Sequence, residues 1–368
     1  MAIENDLVAH PAMLVLARES RGWTQADLVA AMSKLDGGNR ISQGYVSRSE
    51  AGRLAVRGDR LALFAAALHY TPKMLCSASE LRGVGVGLIH HRKRASLGMT
   101  DLRRVHAVLA CTRWQVDALT EALHPRCDHR FRPVEVTDID SPQDAADTVR
   151  EEWGVASGPI KDLVGLLEDA GALVVVRDLQ TAALDAVSQW PPQGTPLFLL
   201  NSAAPGDRFR FSLAHELGHV VMHTRPGDAK QQEREADLFA SQFLMPADVI
   251  IDDLQQGVDL PKLLALKDRW GTSMAALIRR AYSLSIIKEW QYRNLMVEMS
   301  ALGYRTREPG QVPRETPQHV AQVVTRLARQ QNLDTAQAAN LAGLDPEEFH
   351  EIYLCVPSSD APWDSAHP

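Results

Sequence analysis

The feature that most constrains the fold is the stretch FRFSLAHELGHVVMH, residues 209–223. His215 and His219 stand four residues apart, so a helix would carry both imidazoles on one face. Apolar residues flank them, which indicates a buried helix: Phe211, Leu213, Val220, Val221 and Met222. A chain with this stretch needs further elements to cover the helix.

The same stretch carries metal-binding chemistry. Two imidazoles on one helix face can reach one ion, and zinc suits imidazole nitrogen in tetrahedral geometry. Glu216, directly after the first histidine, is placed to act as a base toward water activated by the metal. Two other interpretations stay open: a chance HExxH on a surface helix, and a metal site without catalysis.

A catalytic zinc site needs a third protein ligand. His223 continues the histidine row, but it would lie about 12 Å along the axis from His215, too far to share an ion. The better candidate is Glu233 in EREADLFASQFLMP, with Asp237 on the same face as a partner of a ligand histidine. Glu235 is expected to point away and stays a fallback ligand. No residue is assigned as oxyanion stabiliser, and Arg210, His223 and Tyr304 stay open.

The 368 residues, 45% of them hydrophobic, are enough for two or three domains with sizeable cores. Helical periodicity dominates, and only ALVVVRDL, LDAVSQW and TPLFLLN indicate strands. The predicted fold class is α+β and mostly helical. Predicted domains are an N-terminal helix-turn-helix bundle (1–78), a basic connector with a helix (79–133), a central domain with a small sheet (134–252) and a C-terminal helical region (253–368). Within the last, Pro-rich residues 307–318 are predicted to form a linker.

The charge is distributed unevenly. The net charge is −7, yet residues 1–75 hold nine Lys/Arg against seven Asp/Glu, and residues 76–133 hold ten against five. A basic front joined to an acidic remainder favours a nucleic-acid partner for the front only.

Cysteine usage and the start of the chain predict a cytoplasmic location without membrane insertion. The four cysteines form no CxxC pair, no apolar run approaches the ~18 residues that a membrane helix needs, and the first residues lack a basic export signal.

DRFRFSLAHELGHVVMH followed by EREADLFASQFLMP resembles the ImmA/IrrE metallopeptidase family. The resemblance covers about residues 135–250 and implies a zincin-like α+β domain with zinc as cofactor. It implies His215, His219 and Glu233 as ligands and Glu216 as base. Members of the family cleave or inactivate Xre-type repressors in stress or mobile-element responses. By similarity to zincins, TPLFLLN is expected to be the exposed sheet edge that pairs with a substrate strand.

LARESRGWTQADLVAAMSKL and ISQGYVSRSEAGRL resemble the Xre/Cro-like helix-turn-helix family over about residues 11–75. The resemblance implies a structural pair, Arg18 with Glu50, and a phosphate contact from Gln25. Its recognition helix implies residues near base edges: Gln43, Gly44, Tyr45 and Arg48. It implies phosphate contacts from Ser42, Ser47 and Arg53. The segment KLDGGNR makes the spacing from Gln25 to Glu50 several residues longer than the family's usual one.

The two resemblances together predict a regulator that binds a double-stranded DNA operator, as a homodimer, and carries a zinc peptidase acting on or with an Xre-type repressor or a toxin protein. Two alternatives stay open. One is a binding-only regulator or antitoxin whose zincin domain senses a ligand or partner. The other is a dedicated peptidase whose helical front end docks the repressor.

Overall fold

The computed structural model describes residues 7–37, 41–77, 97–123, 130–134, 141–191, 194–225 and 227–354. Helices dominate these ranges, and three short strands form one sheet, which confirms the predicted mostly helical α+β class. Among the described helices, none combines the length and apolar character that a membrane crossing requires. The basic run HHRKR and the chain's last ten residues, predicted to be loose, lie outside the described residues.

Five helices form the N-terminal bundle: α1 (Pro11–Ser20), α2 (Gln25–Leu35), α3 (Gln43–Glu50), α4 (Gly58–Leu68) and α5 (Pro72–Leu75). The Thr24 side chain accepts a backbone N–H at the start of α2, and Ser42 does so at the start of α3. Gly52 ends α3 with φ 69°, a left-handed conformation that glycine adopts without steric cost. These signals set the helix boundaries, and apolar residues on the inner faces form the bundle core.

The central part contains the sheet and the helices that cover it: α6 (Met99–Glu121), α7 (Pro142–Glu152), α8 (Leu163–Asp169), β1 (Leu173–Arg177), β2 (Ala186–Gln189), β3 (Leu197–Asn201), α9 (Gly206–Met222) and α10 (Ala229–Leu244). The strand order is β1-β3-β2, with β3 parallel to β1 and antiparallel to β2. The prediction that TPLFLLN forms the exposed edge is wrong, because β3 lies in the middle with a hydrogen-bonded neighbour on each side.

The two faces of this sheet belong to different cores. Val174 and Phe198 pack with the apolar residues of α9 and α10. Val175 and Leu199, which alternate with them, pack in the same core as the N-terminal bundle and α6. Successive side chains of a strand point to opposite faces, so one short sheet forms a wall shared by both cores.

Four helices follow: α11 (Ala247–Gln255), α12 (Leu260–Trp270), α13 (Met274–Ser283) and α14 (Glu289–Ala301). Residues 307–318, predicted as a linker, are held against the protein. Glu308 accepts hydrogen bonds from the backbone N–H groups of Met274 and Ala275 at the start of α13. It also forms an ion pair with Lys267. Glu315 pairs with Arg210 of α9. Two buried carboxylates thus fix a segment whose composition alone indicates a free connection.

The last three helices are α15 (His319–Gln331), α16 (Thr335–Leu341) and α17 (Pro346–Tyr353). They pack against α6 and β1 and reach the N-terminal bundle. Arg21, directly after α1, donates to both carboxylate oxygens of Glu348 at 2.6 and 2.7 Å, and the N–H of Thr71 donates to the carbonyl of Gly343. The C-terminal helices therefore join the bundle to the central sheet.

Candidate metal centre

Helix α9 carries the HExxH residues in the interior. His215, Glu216 and His219 are all at most 2% exposed, within a helix whose apolar residues face the second core. Gly218 faces α10, and a Cβ there would lie 3.0 Å from the ring of Phe239. Glycine in a helix costs roughly 1 kcal/mol relative to alanine. Here it lets α10 approach the histidine-bearing helix closely.

Helix α10 supplies the acidic side of the site. Asp228 accepts the N–H of Gln231 and starts the helix. Glu233 and Asp237, one turn apart, both face α9. Their side chains are 27% and 32% exposed, so the buried histidines are reached from solvent along this helix.

Three side chains converge on one point. His215 Nε2 lies 3.1 Å from His219 Nε2 and 3.6 Å from Glu233 Oε2, and His219 Nε2 lies 3.4 Å from Glu233 Oε1. Tetrahedral zinc with bonds of ~2.0–2.1 Å would separate its ligand atoms by roughly 3.3 Å. Among the described residues, Glu233 Oε2 is buried without a hydrogen-bond partner. The spacing, the donor types and this unsatisfied oxygen fit a zinc ion held by His215, His219 and Glu233.

Without a cation, the site shifts the pKa values of its groups. Burial opposes charge on His215, but the hydrogen bond with Asp237 and the nearby Glu233 carboxylate prevail and raise its pKa to about 9. Burial raises the pKa of Glu216 to about 8, although His215 and Ser188 act to lower it. Burial also acts to raise the pKa of Glu233, but the two histidine rings, 3.4 and 3.6 Å from its oxygens, hold it well below its usual range. The metal-free site thus pairs an ionised carboxylate, that of Glu233, with a protonated imidazole, that of His215.

Each histidine has a partner behind it. Asp237 Oδ1 lies 3.0 Å from His215 Nδ1, in the place predicted for a carboxylate behind a ligand histidine. His223 Nδ1 lies 2.8 Å from His219 Nδ1, and its Nε2 lies 2.9 Å from Glu235 Oε2. The expectation that Glu235 points away from the site is wrong, because α9 ends at Met222 and His223 turns back toward α10.

Ser188 of β2 holds the residue predicted as base. Its Oγ donates to Glu216 Oε2 at 2.6 Å, and its backbone N–H also bonds the carboxylate. Sequence reasoning missed this residue. A serine in a predicted strand gives no sign of which helix it will face, so only the fold reveals the contact.

Two of the three residues left open as oxyanion stabilisers are engaged elsewhere. Arg210 donates to the carbonyl of Ile160 and pairs with Glu315, away from the histidines. His223 contacts His219 and Glu235. Tyr304 is partly buried against the core that contains α9.

An HExxH helix, a carboxylate on the next helix and a small sheet beside them form a candidate metallopeptidase centre. The comparison with protein families agrees. Residues 167–282 match the family model described as the IrrE N-terminal-like domain, Peptidase_M78, so an ImmA/IrrE-type peptidase domain is present in this chain. No curated protein matches the chain.

In the N-terminal bundle the predicted structural residues are brought together. Arg18 donates to both oxygens of Glu50, at 2.6 and 3.2 Å, and to the carbonyl of Trp23. Gln25, predicted to hold a phosphate, donates its amide to Glu50 at 2.9 Å. The Glu50 carboxylate thus ties α1, α2 and α3 together.

The residues predicted to face DNA lie mostly at the surface of α3 and its ends. The exposed ones are Ser42, Gln43, Gly44, Ser47, Arg48 and Arg53. Tyr45 differs, since its half-buried ring packs 6.1 Å from that of Phe64 in the bundle core. Arg48 donates to the carbonyl of Gly44 on its own helix. The exposed residues are spread over positions 42–53, and Tyr45, Val46 and Ser49 turn inward between them.

Proposed function

We propose that this chain is a DNA-binding regulator whose central domain is a zinc-dependent peptidase acting on or with an Xre-type repressor in a stress or mobile-element response. The observation that carries the proposal is the convergence of His215, His219 and Glu233 beside Glu216. The match of residues 167–282 to the IrrE N-terminal-like domain supports it.

Each side chain of the centre has a distinct role in the proposal. His215, His219 and Glu233 would hold the zinc. Bound zinc supplies a Lewis acid that polarises a peptide carbonyl and acidifies water. Glu216 accepts the proton that the attacking water loses and passes it to the leaving amine. Ser188 fixes the orientation of that carboxylate through two hydrogen bonds. A neighbouring dication favours the ionised form of Glu216, which is the form that a base requires.

The exposed stretch on α3 supports the DNA-binding half. Gln43 and Arg48 can reach base edges from a recognition helix, while Ser42, Ser47 and Arg53 suit phosphates. The ion pair of Arg18 with Glu50 would hold that helix in place from behind. Two copies of the chain would read two half-sites of a double-stranded operator.

Metal content and cleavage, measured on wild type beside Glu216→Gln, test the peptidase half. Candidate Xre-type repressors and this chain itself are the substrates, with products followed by mass spectrometry. Loss of a general base is expected to slow cleavage by about 10²–10⁴-fold, while zinc content and DNA binding stay unchanged. Absence of zinc from protein purified without chelators would refute the proposal.

A second candidate is a regulator whose metal centre binds a ligand or partner without cleaving it. One observation favours it: all four residues of β2 are buried, and Arg113 of α6 donates to the carbonyl of Gln189. Among the described residues, β2 is therefore covered beside Glu216, whereas pairing with a substrate strand requires an accessible edge. Stoichiometric zinc without turnover, together with specific operator binding in a gel shift, would select this candidate.

A further inference from the structure

Behind His219 lies a file of polar side chains that the proposed reaction does not use. His219 Nδ1 contacts His223 Nδ1 at 2.8 Å, and His223 Nε2 contacts Glu235 Oε2 at 2.9 Å. Gln231 then donates its amide to Glu235 Oε1 at 2.8 Å. The file runs from a fully buried imidazole to a carboxylate that is 21% exposed at the surface of α10.

The chemistry of its members gives this file one direction. An ionised carboxylate only accepts hydrogen bonds, so the contact with Glu235 requires the proton of His223 on Nε2. The other nitrogen of a neutral His223 is then an acceptor, and His219 must donate to it from Nδ1. The Nε2 of His219 is thereby left with its lone pair, and that atom faces His215 and Glu233.

The reverse direction leaves a contact unsatisfied. If His219 carried its proton on Nε2, His223 would have to donate from Nδ1, and its bare Nε2 would face the Glu235 oxygen at 2.9 Å. Two acceptors would then face each other with no proton between them, which is unfavourable. The Glu235 carboxylate therefore determines the tautomer of His219 through the intervening ring of His223.

We propose that His223 and Glu235 are positioning residues for His219, forming a histidine–histidine–carboxylate relay that fixes the ring and presents the Nε2 lone pair to the metal. The inference rests on the proposed metal-binding role of His215, His219 and Glu233. It differs from the arrangement behind His215, where Asp237 receives the Nδ1 proton directly. One ligand is oriented by a carboxylate alone, and the other through an intervening imidazole.

A purely structural role for His223 predicts something different. Its backbone N–H closes the end of α9 by donating to the carbonyl of His219 at 3.0 Å. That bond is independent of the side chain, so replacing the imidazole leaves it in place. Loss of stability alone would also follow from removing packing, whereas the relay predicts a change in metal affinity and tautomer.

Three substitutions separate the relay from packing and from charge. Glutamine at this position can accept from His219 through its oxygen and donate to Glu235 through its nitrogen, so His223→Gln is expected to keep most of the zinc affinity. His223→Phe fills the space but removes both contacts, and is expected to weaken zinc binding by about 10–100-fold. Arg234→Gln, an exposed change on the same helix, is the control.

The effect of Glu235→Leu, which removes the acceptor, must depend on His223. Through the relay, Glu235→Leu weakens zinc binding in wild type and adds little in the His223→Phe background. An equal effect in both backgrounds would show that the carboxylate acts by charge alone and would overturn the relay. Zinc affinity is measured by competition with a chromophoric chelator at one pH, and circular dichroism checks each fold.

The tautomers are read directly from long-range ¹⁵N–¹H spectra of wild-type protein labelled at histidine, without zinc and with it. The relay predicts the His223 proton on Nε2 and the His219 proton on Nδ1 in both states. A His223 proton on Nδ1, or protons on both nitrogens, would overturn the proposal. This measurement needs no substitution, so it decides even where a variant fails to fold. A wild-type protein that binds no zinc would refute the proposed function. The proton positions on His219 and His223 in the metal-free protein would then still decide whether the relay exists.

Discussion

The candidate metal centre and helix α3, the proposed recognition helix, are built in opposite ways. The metal centre collects its chemistry in the interior, where His215 and His219 are almost fully buried and each has a hydrogen-bonding partner. Helix α3 keeps Gln43 and Arg48 at the surface and buries Val46, Ser49 and the carboxylate that anchors it, that of Glu50. An ion can enter a finished site, whereas a DNA groove must be met by side chains that protrude.

This difference teaches where mutations should act. In the metal centre the functional atoms and the supporting atoms lie in one network, so changes there alter both function and protonation. In the N-terminal bundle the reading residues and the anchoring pair are separate, so function and stability should respond to different substitutions. The four predictions below test that contrast, from the largest expected effect to the smallest.

Removing a ligand histidine should have the largest effect. His219→Ala leaves two of the three converging ligands, and we expect zinc affinity to fall by more than about 100-fold, beyond the loss typical of supporting partners. Operator binding should not change. Zinc titration against a competing chelator measures zinc affinity, and a gel shift measures operator binding. Loss of both in His219→Ala would show that the metal centre and the N-terminal bundle do not respond independently.

Breaking the anchoring pair should cost stability in the bundle. Glu50→Ala removes the shortest ion pair of Arg18, which keeps Glu19 at 3.7 Å and the carbonyl of Trp23. Losing hydrogen bonds to a charged group costs about 1.5–3 kcal/mol. Chemical denaturation followed by bundle tryptophan fluorescence measures the change. Zinc content should stay stoichiometric in conditions where the protein is folded. An unchanged denaturation midpoint would show that the pair of Arg18 and Glu50 orients α3 without contributing to the free energy of unfolding.

Removing a reading residue should cost affinity without stability. Arg48→Ala is expected to weaken specific operator binding by about 1–3 kcal/mol and to relax preference at one base pair. The denaturation midpoint should match wild type, because the side chain is exposed and contacts only Gly44. Equal losses on specific and random DNA would assign Arg48 to phosphates instead.

Zinc affinity should rise with pH. Metal-free His215 has a pKa raised to about 9, so at pH 7 the ring carries an extra proton that zinc must expel. Glu216, whose pKa burial raises to about 8, also loses a proton when a dication binds beside it. Affinity then increases by more than tenfold per pH unit below about pH 8 and by about tenfold per unit from there to about pH 9, where it levels off. Isothermal titration in buffers of different ionisation enthalpy measures the released proton. Asp237→Asn removes a hydrogen bond that raises this pKa, so the levelling should move to lower pH; no movement would contradict the assigned cause.

The residues of the metal centre were predictable because their spacing is local. His215 and His219 share a face of α9, and Glu233 and Asp237 share a face of α10, so only the pairing of two consecutive helices had to be inferred. The direction of Glu235 relative to the site was predicted wrongly because helical spacing applies only to residues within a helix, and the partner of Glu235 is His223. His223 lies past the end of α9, where the backbone leaves the helical path.

Contacts between distant elements were not predictable. Ser188 meets Glu216 because β2 lies beside α9, and strand order cannot be inferred from three short apolar runs. Because the strand order could not be inferred, β3 was predicted as the edge strand although it lies in the middle of the sheet. Glu308 and Glu315, in a Pro-rich segment, find partners on α12, α13 and α9 only in the folded chain. The predicted domain boundaries and DNA contacts stay predictions.

The shared sheet has a consequence for how such a chain can evolve and be engineered. Val175 and Leu199 are covered by residues of the same core as the N-terminal bundle, so excising the catalytic part alone would strip one face of its sheet. About 25 cal/mol is lost for each Å² of apolar surface uncovered, which favours aggregation of such a fragment. The helices of this core that contact β1 are α15 and α17, so the C-terminal region also covers the sheet of the central domain. A fragment without these helices would need a replacement that packs on the same face.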